Sequence, residues 1–105
     1  MRVVIDGQLI RTESDVHDAL SGPLDFGPYY GGNLNALWDR LSTDAERPVE
    51  LIWEQAQASR EALGAAKFGA ICSVLRRAAR EDAAFGRKER FKARIETESG
   101  WEELA

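Results

Sequence analysis

The chain has 105 residues, of which 30% are charged and 44% hydrophobic, and its net charge is −4. This length and composition predict one globular domain over residues 1–105 with a single core. The one cysteine, Cys72, excludes an internal disulfide, and no segment has the roughly 18 consecutive apolar residues of a membrane helix. The apolar run at the N-terminus is too short for a secretory leader, so we expect a cytoplasmic protein with no membrane partner.

The charges are unevenly distributed along the chain. Residues 1–59 carry 4 basic and 10 acidic side chains, a net of −6, whereas residues 76–94 carry 8 basic and 3 acidic ones, a net of +5. An acidic surface repels nucleic acid and accelerates association with basic proteins. The first half is therefore predicted to bind a basic protein, with no nucleic-acid partner. The basic segment is interpreted as a solvated face, with RNA contact as the weaker alternative.

Three short segments have the residue pattern of strands, and helical segments separate them. Strands are expected near residues 2–6, 49–54 and 91–96, from short runs of apolar and branched side chains and from strict alternation in the last. Strands that are separated by helices need crossover connections. The sequence therefore predicts an α/β fold, in which about four helices pack on a three-stranded parallel sheet.

The helix boundaries follow from capping residues and apolar spacing. Thr12 followed by Asp15 resembles a capping box at the start of a first helix, and Gly22-Pro23 ends it. Three further helices are predicted at about residues 34–42, 55–63 and 67–82. Residues 97–105 are either a polar tail that docks Trp101 and Leu104 or a flexible extension.

Residues that commonly carry chemistry are few and isolated. His17, the single histidine, has no sequence partner for a metal site or a catalytic dyad, so a surface or capping role is expected. Cys72 lies among apolar helical positions, which predicts a buried structural thiol. No phosphate-binding glycine motif or acid–base pair is present, and we expect no cofactor and no metal.

Residues 28–42 are the most informative stretch of the chain. Two tyrosines beside a Gly pair indicate a loop, and Asn33 follows at the position of a helix N-cap. Behind it, one helical stripe is apolar, and an adjacent stripe contains Asn35, Trp38, Asp39 and Ser42. On this pattern alone, a plain amphipathic helix with a core tryptophan and an exposed binding face are equally good interpretations.

The run Tyr29-Tyr30-Gly31-Gly32-Asn33-Leu34-Asn35-Ala36-Leu37-Trp38-Asp39 resembles the binding loop and second helix of the barstar family. Looser similarity extends over roughly residues 2 to 96. Proteins of that family are small cytoplasmic inhibitors of secreted guanyl-specific ribonucleases. The resemblance implies a barstar-like fold and a protein that is not an enzyme. It also implies a 1:1 complex with a guanyl-specific microbial ribonuclease, which protects the producing cell, and a monomer in the free state.

The resemblance favours the binding face over the plain amphipathic helix. Asp39 is expected to stand where a substrate phosphate would sit and to accept hydrogen bonds from the enzyme's arginines and catalytic histidine. Tyr29 and Trp38 are expected to exclude water around it. The expected partner-binding residues are Tyr29, Gly31, Asn33, Asn35, Trp38, Asp39, Ser42, Thr43, Asp44 and Arg77.

Three positions depart from the family pattern. The family often has an acid where this chain has Asn35, and an aromatic where it has Asp44. An acid on the fourth helix corresponds, with a shift of one residue, to Arg77. These departures imply a ribonuclease with a less basic rim, or one with an acid opposite Arg77. An immunity or regulatory module for a target other than a ribonuclease is the alternative, and an enzyme is the weakest hypothesis.

Overall fold

The computed structural model describes residues 1–105, and its centre is a four-stranded mixed sheet. The strands are β1 (Arg2–Asp6), β2 (Val49–Glu54), β3 (Phe91–Thr97) and β4 (Gly100–Leu104). They lie in the order β1-β2-β3-β4; the first three are parallel, and β4 runs antiparallel to β3. The α/β class is confirmed, whereas the expectation of a sheet with only three parallel strands is wrong.

The fourth strand exists because residues 97–100 form a tight turn. The Thr97 hydroxyl donates to the Gly100 carbonyl at 3.0 Å and accepts from the Ser99 backbone N–H at 3.2 Å. Gly100 has a φ of +112°, which side-chain-bearing residues rarely adopt. The predicted tail is therefore strand β4, in which Leu104 is buried and Trp101 is half exposed at 49%.

Four helices connect the strands. They are α1 (Glu13–Ser21), α2 (Leu34–Asp39), α3 (Ala56–Leu63) and α4 (Ala65–Ala84). The predicted capping box is present at the start of α1, where the Asp15 N–H donates to the Thr12 hydroxyl at 3.2 Å and the Thr12 N–H donates to the Asp15 carboxylate at 3.0 Å. None of these helices has the length and apolar character of a membrane span.

One face of the sheet packs against the helices. In β1 and β3, buried and more exposed residues alternate, so that Val3, Ile5, Ala93 and Ile95 all point into one core with the helices. Cys72 of α4 lies in this core, and burial raises the pKa of its thiol to about 11, which keeps it protonated and unreactive. The prediction of a buried structural thiol is therefore confirmed.

Helix α2 is held against this core by a cap at one end and leucines behind it. The Asn33 side chain accepts the Ala36 backbone N–H at 2.8 Å, as the N-cap prediction required. Leu37 and Leu41 are fully buried. After Asp39 the helix widens into one π-helical turn, Arg40–Asp44, which closes with a bond from the Ala45 N–H to the Arg40 carbonyl at 2.8 Å. The opposite face of α2 is therefore directed away from the core.

Candidate protein-binding site

The loop before α2 presents one tyrosine to solvent and uses the other as an anchor. The Tyr29 side chain is 91% exposed. Tyr30 is half-buried and packs on Phe26, with 4.8 Å between the ring centroids. Its hydroxyl lies 2.5 Å from His17 Nδ1 of helix α1. The two adjacent tyrosines therefore differ in role, since Tyr30 fixes the loop and Tyr29 is available for contact.

His17 is buried, at 4% exposed, so the predicted surface or capping role is wrong. Its Nε2 donates to the Glu13 carboxylate at 2.9 Å, and its Nδ1 shares a hydrogen bond with the Tyr30 hydroxyl. Glu13 also accepts from Lys67 Nζ of α4 at 3.0 Å. This chain of bonds links α1, α4 and the loop. The i, i+4 spacing of Glu13 and His17 is the sequence feature from which their bond could have been predicted.

The pKa shifts in this network agree with its bonding. Burial raises the pKa of Tyr30 to about 12, so its hydroxyl stays protonated at neutral pH. The hydrogen bond from His17 lowers the pKa of Glu13 below its usual value, and the bond from Lys67 adds to this effect. Glu13 is therefore a carboxylate that only accepts hydrogen bonds, which fixes the donor at His17 Nε2.

Asp39 lies on the exposed face of α2 and has no internal partner. Its carboxylate makes no hydrogen bond and has no cation within 4 Å, although Arg40 is the next residue. Arg40 instead pairs with Asp44 at 2.7 Å. Asn35, one turn before Asp39, is also exposed. An unpaired carboxylate on a rigid helix keeps its full capacity to accept bonds from a partner.

Trp38 occupies an intermediate position between the two sequence interpretations. It is half-buried and packs against the core, so it is neither a core residue nor fully exposed. The Arg77 guanidinium of α4 lies over its ring, with Cζ 3.9 Å from the centroid, a cation–π contact. The structure therefore brings Arg77 to the same surface as Trp38 of α2.

Several predicted site residues already have bonds within the chain. The hydroxyls of Ser42 and Thr43 both donate to the Asp39 carbonyl, at the start of the π-helical turn. Asn33 is the N-cap, and Asp44 pairs with Arg40. These four side chains thus shape the end regions of α2, in addition to any contact with a partner.

Glycine at position 31 is not required by the fold. A Cβ atom there would lie 3.4 Å from the Ala36 Cβ, an ordinary contact distance, whereas the neighbouring Gly32 has a φ of +66° and does need glycine. Gly31 is exposed. The absence of a side chain at this position leaves room for a partner to approach the backbone. No group of three or more His, Cys, Asp or Glu side chains is arranged to hold a metal ion.

The exposed loop, the unpaired carboxylate and the Trp38–Arg77 contact are the accessible features around α2, and comparisons with known proteins show the family of the chain. The model of a family described as "Barstar (barnase inhibitor)" matches residues 1–96. The chain belongs to the barstar family. It is also 38% identical over 63 residues to "Putative ribonuclease inhibitor YrdF" of Bacillus subtilis (strain 168), which covers 60% of this chain and 69% of that protein. This barstar-family protein is therefore a ribonuclease inhibitor and not an enzyme, as predicted.

The barstar match ends before strand β4. Residues 97–105 lie outside it, and in this chain they add a strand to the edge of β3 and place Glu102 3.4 Å from Arg76 of α4. Strand β4 therefore forms part of the surroundings of α4, the helix that also carries Arg77.

Proposed function

We propose that this barstar-family protein inhibits a secreted guanyl-specific microbial ribonuclease by covering its active site in a 1:1 complex. The loop 28–32 and the exposed face of α2 enter the site. The inhibitor acts in the cytoplasm and protects the cell that makes the enzyme. The unpaired, exposed carboxylate of Asp39 is the single observation that carries this proposal.

Asp39 has the chemistry of a substrate phosphate. A ribonuclease must bind phosphates, so its active site holds cationic groups. A carboxylate accepts the same charge-assisted hydrogen bonds from guanidinium and imidazolium groups as a phosphate oxygen does. Because Asp39 has no internal cation to give up, its binding breaks no existing ion pair.

The residues around Asp39 make this contact stronger. Tyr29 and Trp38 provide large surfaces with few rotors to immobilise, and they exclude water from the charged pair. Asn35 adds a neutral polar group one turn away on the helix, and Gly31 leaves the loop backbone accessible. A dry surrounding lowers the local dielectric and strengthens the attraction between opposite charges.

A panel of purified ribonucleases tests the proposal. The inhibitor is titrated against guanyl-specific microbial enzymes and, as a control, against a ribonuclease of unrelated fold such as a pancreatic-type enzyme. We expect complete loss of cleavage of a guanosine-containing dinucleotide at one equivalent for at least one guanyl-specific enzyme, and none for the control. Inhibition of the control alone, or of neither class, contradicts the proposed target.

A further inference from the structure

The outer surface of α4 next to Trp38 is a shallow basic groove. Its volume is about 370 Å³, and it is lined by Ser73, Arg76, Arg77, Arg80 and Glu81. Three guanidinium groups and one carboxylate thus meet on two turns of one exposed helix surface. We call Arg77 and Arg80, the two exposed arginines of this groove, the α4 arginine rim.

The three arginines differ in how far their charge is already compensated. Arg76 is partly buried and faces Glu102 of β4 at 3.4 Å. Arg77 pairs with Glu81 at 3.1 Å and lies over Trp38, yet most of its side chain remains exposed. Arg80 is exposed and has no carboxylate within 4 Å. The rim therefore carries a positive charge that the protein itself does not neutralise.

The rim adjoins the proposed ribonuclease-binding face through a single side chain. Trp38 lies beside Asp39 on α2, and the same indole ring carries the Arg77 guanidinium 3.9 Å above it. The stacked pair holds Arg77 in one position, so less side-chain entropy is lost when a partner binds it. The surface around Trp38 therefore has a negative side on α2 and a positive side on α4.

We propose that the α4 arginine rim is a second contact surface for the ribonuclease and that it binds acidic side chains at the edge of the enzyme's active site. This inference rests on the proposed function, and it adds a property of the partner. The enzyme has cations that face Asp39 and carboxylates that face Arg77 and Arg80. A ribonuclease with a basic edge at that point meets like charge, so the rim selects among related enzymes.

A purely structural role for Arg77, in which it only covers Trp38, makes different predictions. In that case Arg77→Met, which keeps an unbranched chain over the ring, behaves much like the parent, and Arg80, which is absent from the stack, has no effect. A contact with acids makes charge decisive at both positions. It also makes the effect depend on salt, because exposed charges are screened over about 10 Å at 0.1 M ionic strength.

The test uses the ribonuclease that the parent inhibits best in a panel of guanyl-specific microbial enzymes. Dissociation constants are measured for Arg77→Glu, Arg77→Met and Arg80→Glu, at low and at high salt. Arg60→Glu is the matched control, because Arg60 is an exposed, unpaired arginine on α3 and its reversal changes the net charge equally. Thermal melts establish that each variant is folded.

We expect Arg77→Glu and Arg80→Glu each to weaken binding by about fivefold or more relative to Arg60→Glu at low salt, with a smaller effect at high salt. Arg77→Met should fall between the parent and Arg77→Glu. Equal dissociation constants for the three charge reversals, or tighter binding by the rim variants, overturn the inference while leaving inhibition itself intact. If the parent inhibits no enzyme of the panel, the proposed function fails and this inference fails with it.

Discussion

Tyr30 and His17 are joined by a hydrogen bond that the sequence did not reveal. The two adjacent tyrosines have identical side chains, but only Tyr30 is directed inward, where its hydroxyl reaches the buried imidazole of His17 on α1. The resulting bond fixes the loop from which Tyr29 projects. For single residues, the helical stripe predicted that Asp39 lies on the side of α2 away from the core, and Asp39 is exposed there. The roles of Tyr30 and His17 could not be predicted in this way, because they depend on a contact between residues 13 positions apart in the chain.

Replacing Tyr30 by phenylalanine tests this anchor. The change removes one hydroxyl and leaves the Nδ1 atom of buried His17 without its partner, so we expect the free energy of unfolding to fall by about 1–2 kcal/mol. Tyr29→Phe is the matched control, since that side chain is 91% exposed and its loss of a hydroxyl should change stability little. Urea denaturation of both variants gives the comparison. Equal stabilities would show that the bond to His17 does not hold the loop.

Asp82 sets part of the acid stability of the protein. It is 3% exposed, accepts from Arg47 Nε at 2.9 Å and accepts the Phe91 N–H at 2.7 Å. Burial alone would raise the pKa of Asp82, but these bonds and the charges of Arg47 and Arg87 outweigh it and hold the pKa below its usual value. The folded-state pKa is thus lower than that of the unfolded chain. The stabilisation is present above the unfolded value of about 3.9 and is lost as the pH falls through the folded value.

We therefore expect the free energy of unfolding to decrease as the pH is lowered from about 5 to 2. The lowered pKa values of Glu13 and Asp15 act in the same direction. Asp82→Asn should be less stable than the parent by about 3 kcal/mol at pH 7, because Arg47 is left without its charge partner, and should show a shallower loss in acid. Urea denaturation across this pH range checks both points. A parent and variant with parallel pH profiles would contradict the role of Asp82.

Among the secondary-structure elements, strand β4 is the one that the residue pattern did not predict, since residues 97–105 were interpreted as a tail or a flexible extension. Its residues do not show the usual alternation of apolar and polar side chains. Glu102 is polar although it lies on the helix-facing side, where Arg76 compensates its charge, and Trp101 is apolar although it lies on the open side. The three parallel strands and the four helices were predictable because their apolar spacing is regular. The π-helical turn after Asp39 was not, since nothing in the sequence distinguishes it from an ordinary last turn of α2.

Leu104 tests whether β4 is an integral part of the fold. Its side chain is 1% exposed, so Leu104→Ala should lower the free energy of unfolding by about 2–4 kcal/mol through lost burial and the cavity left behind. Glu103→Ala is a control on the same strand, because Glu103 is exposed and has no ion pair. Chemical denaturation measures both. A loss below about 1 kcal/mol for Leu104→Ala would mean that β4 adds little to the core.

At the scale of the whole molecule, the charge asymmetry of the sequence corresponds to distinct surfaces. Asp25, Asp44 and Glu46 line one cleft at the end of α2, so acid from the first half of the chain continues beyond Asp39. The arginines of α4 lie on the other side of Trp38. The sequence predicted the separation of charge along the chain. The contact between the two regions follows from the packing of α2 on α4, and this packing cannot be predicted from the distribution of charges along the sequence.

This charge distribution should accelerate association with a ribonuclease. We expect the association rate constant to fall by about tenfold or more between low and high salt, because both charged surfaces attract their counterparts over distance. Stopped-flow mixing at several ionic strengths gives the rate constant, and the dissociation rate should change much less. An association rate that is independent of salt would show that neither charged surface guides docking.

The role of Asp39 is the central claim, and truncating this side chain tests it most directly. Removing the carboxylate leaves the cations of the enzyme buried without a partner, which costs roughly 2–5 kcal/mol. Folding should be unaffected, because Asp39 makes no side-chain bond and alanine is the better helix former. Glu61→Ala is the control, since Glu61 is an exposed, unpaired acid on α3. Asp25, an exposed acid in the loop before α2, is a poorer control, because its φ of +55° is one that alanine would adopt only with strain.

The measurement is the inhibition of a guanyl-specific ribonuclease by the parent, Asp39→Ala and Glu61→Ala, with thermal melts of all three. We expect Asp39→Ala to raise the dissociation constant by at least about 30-fold, mainly through faster dissociation, and Glu61→Ala to change it by less than about threefold. The three melting temperatures should agree closely. If Asp39→Ala inhibits the enzyme as well as the parent does, then Asp39 does not act as a phosphate mimic in this protein.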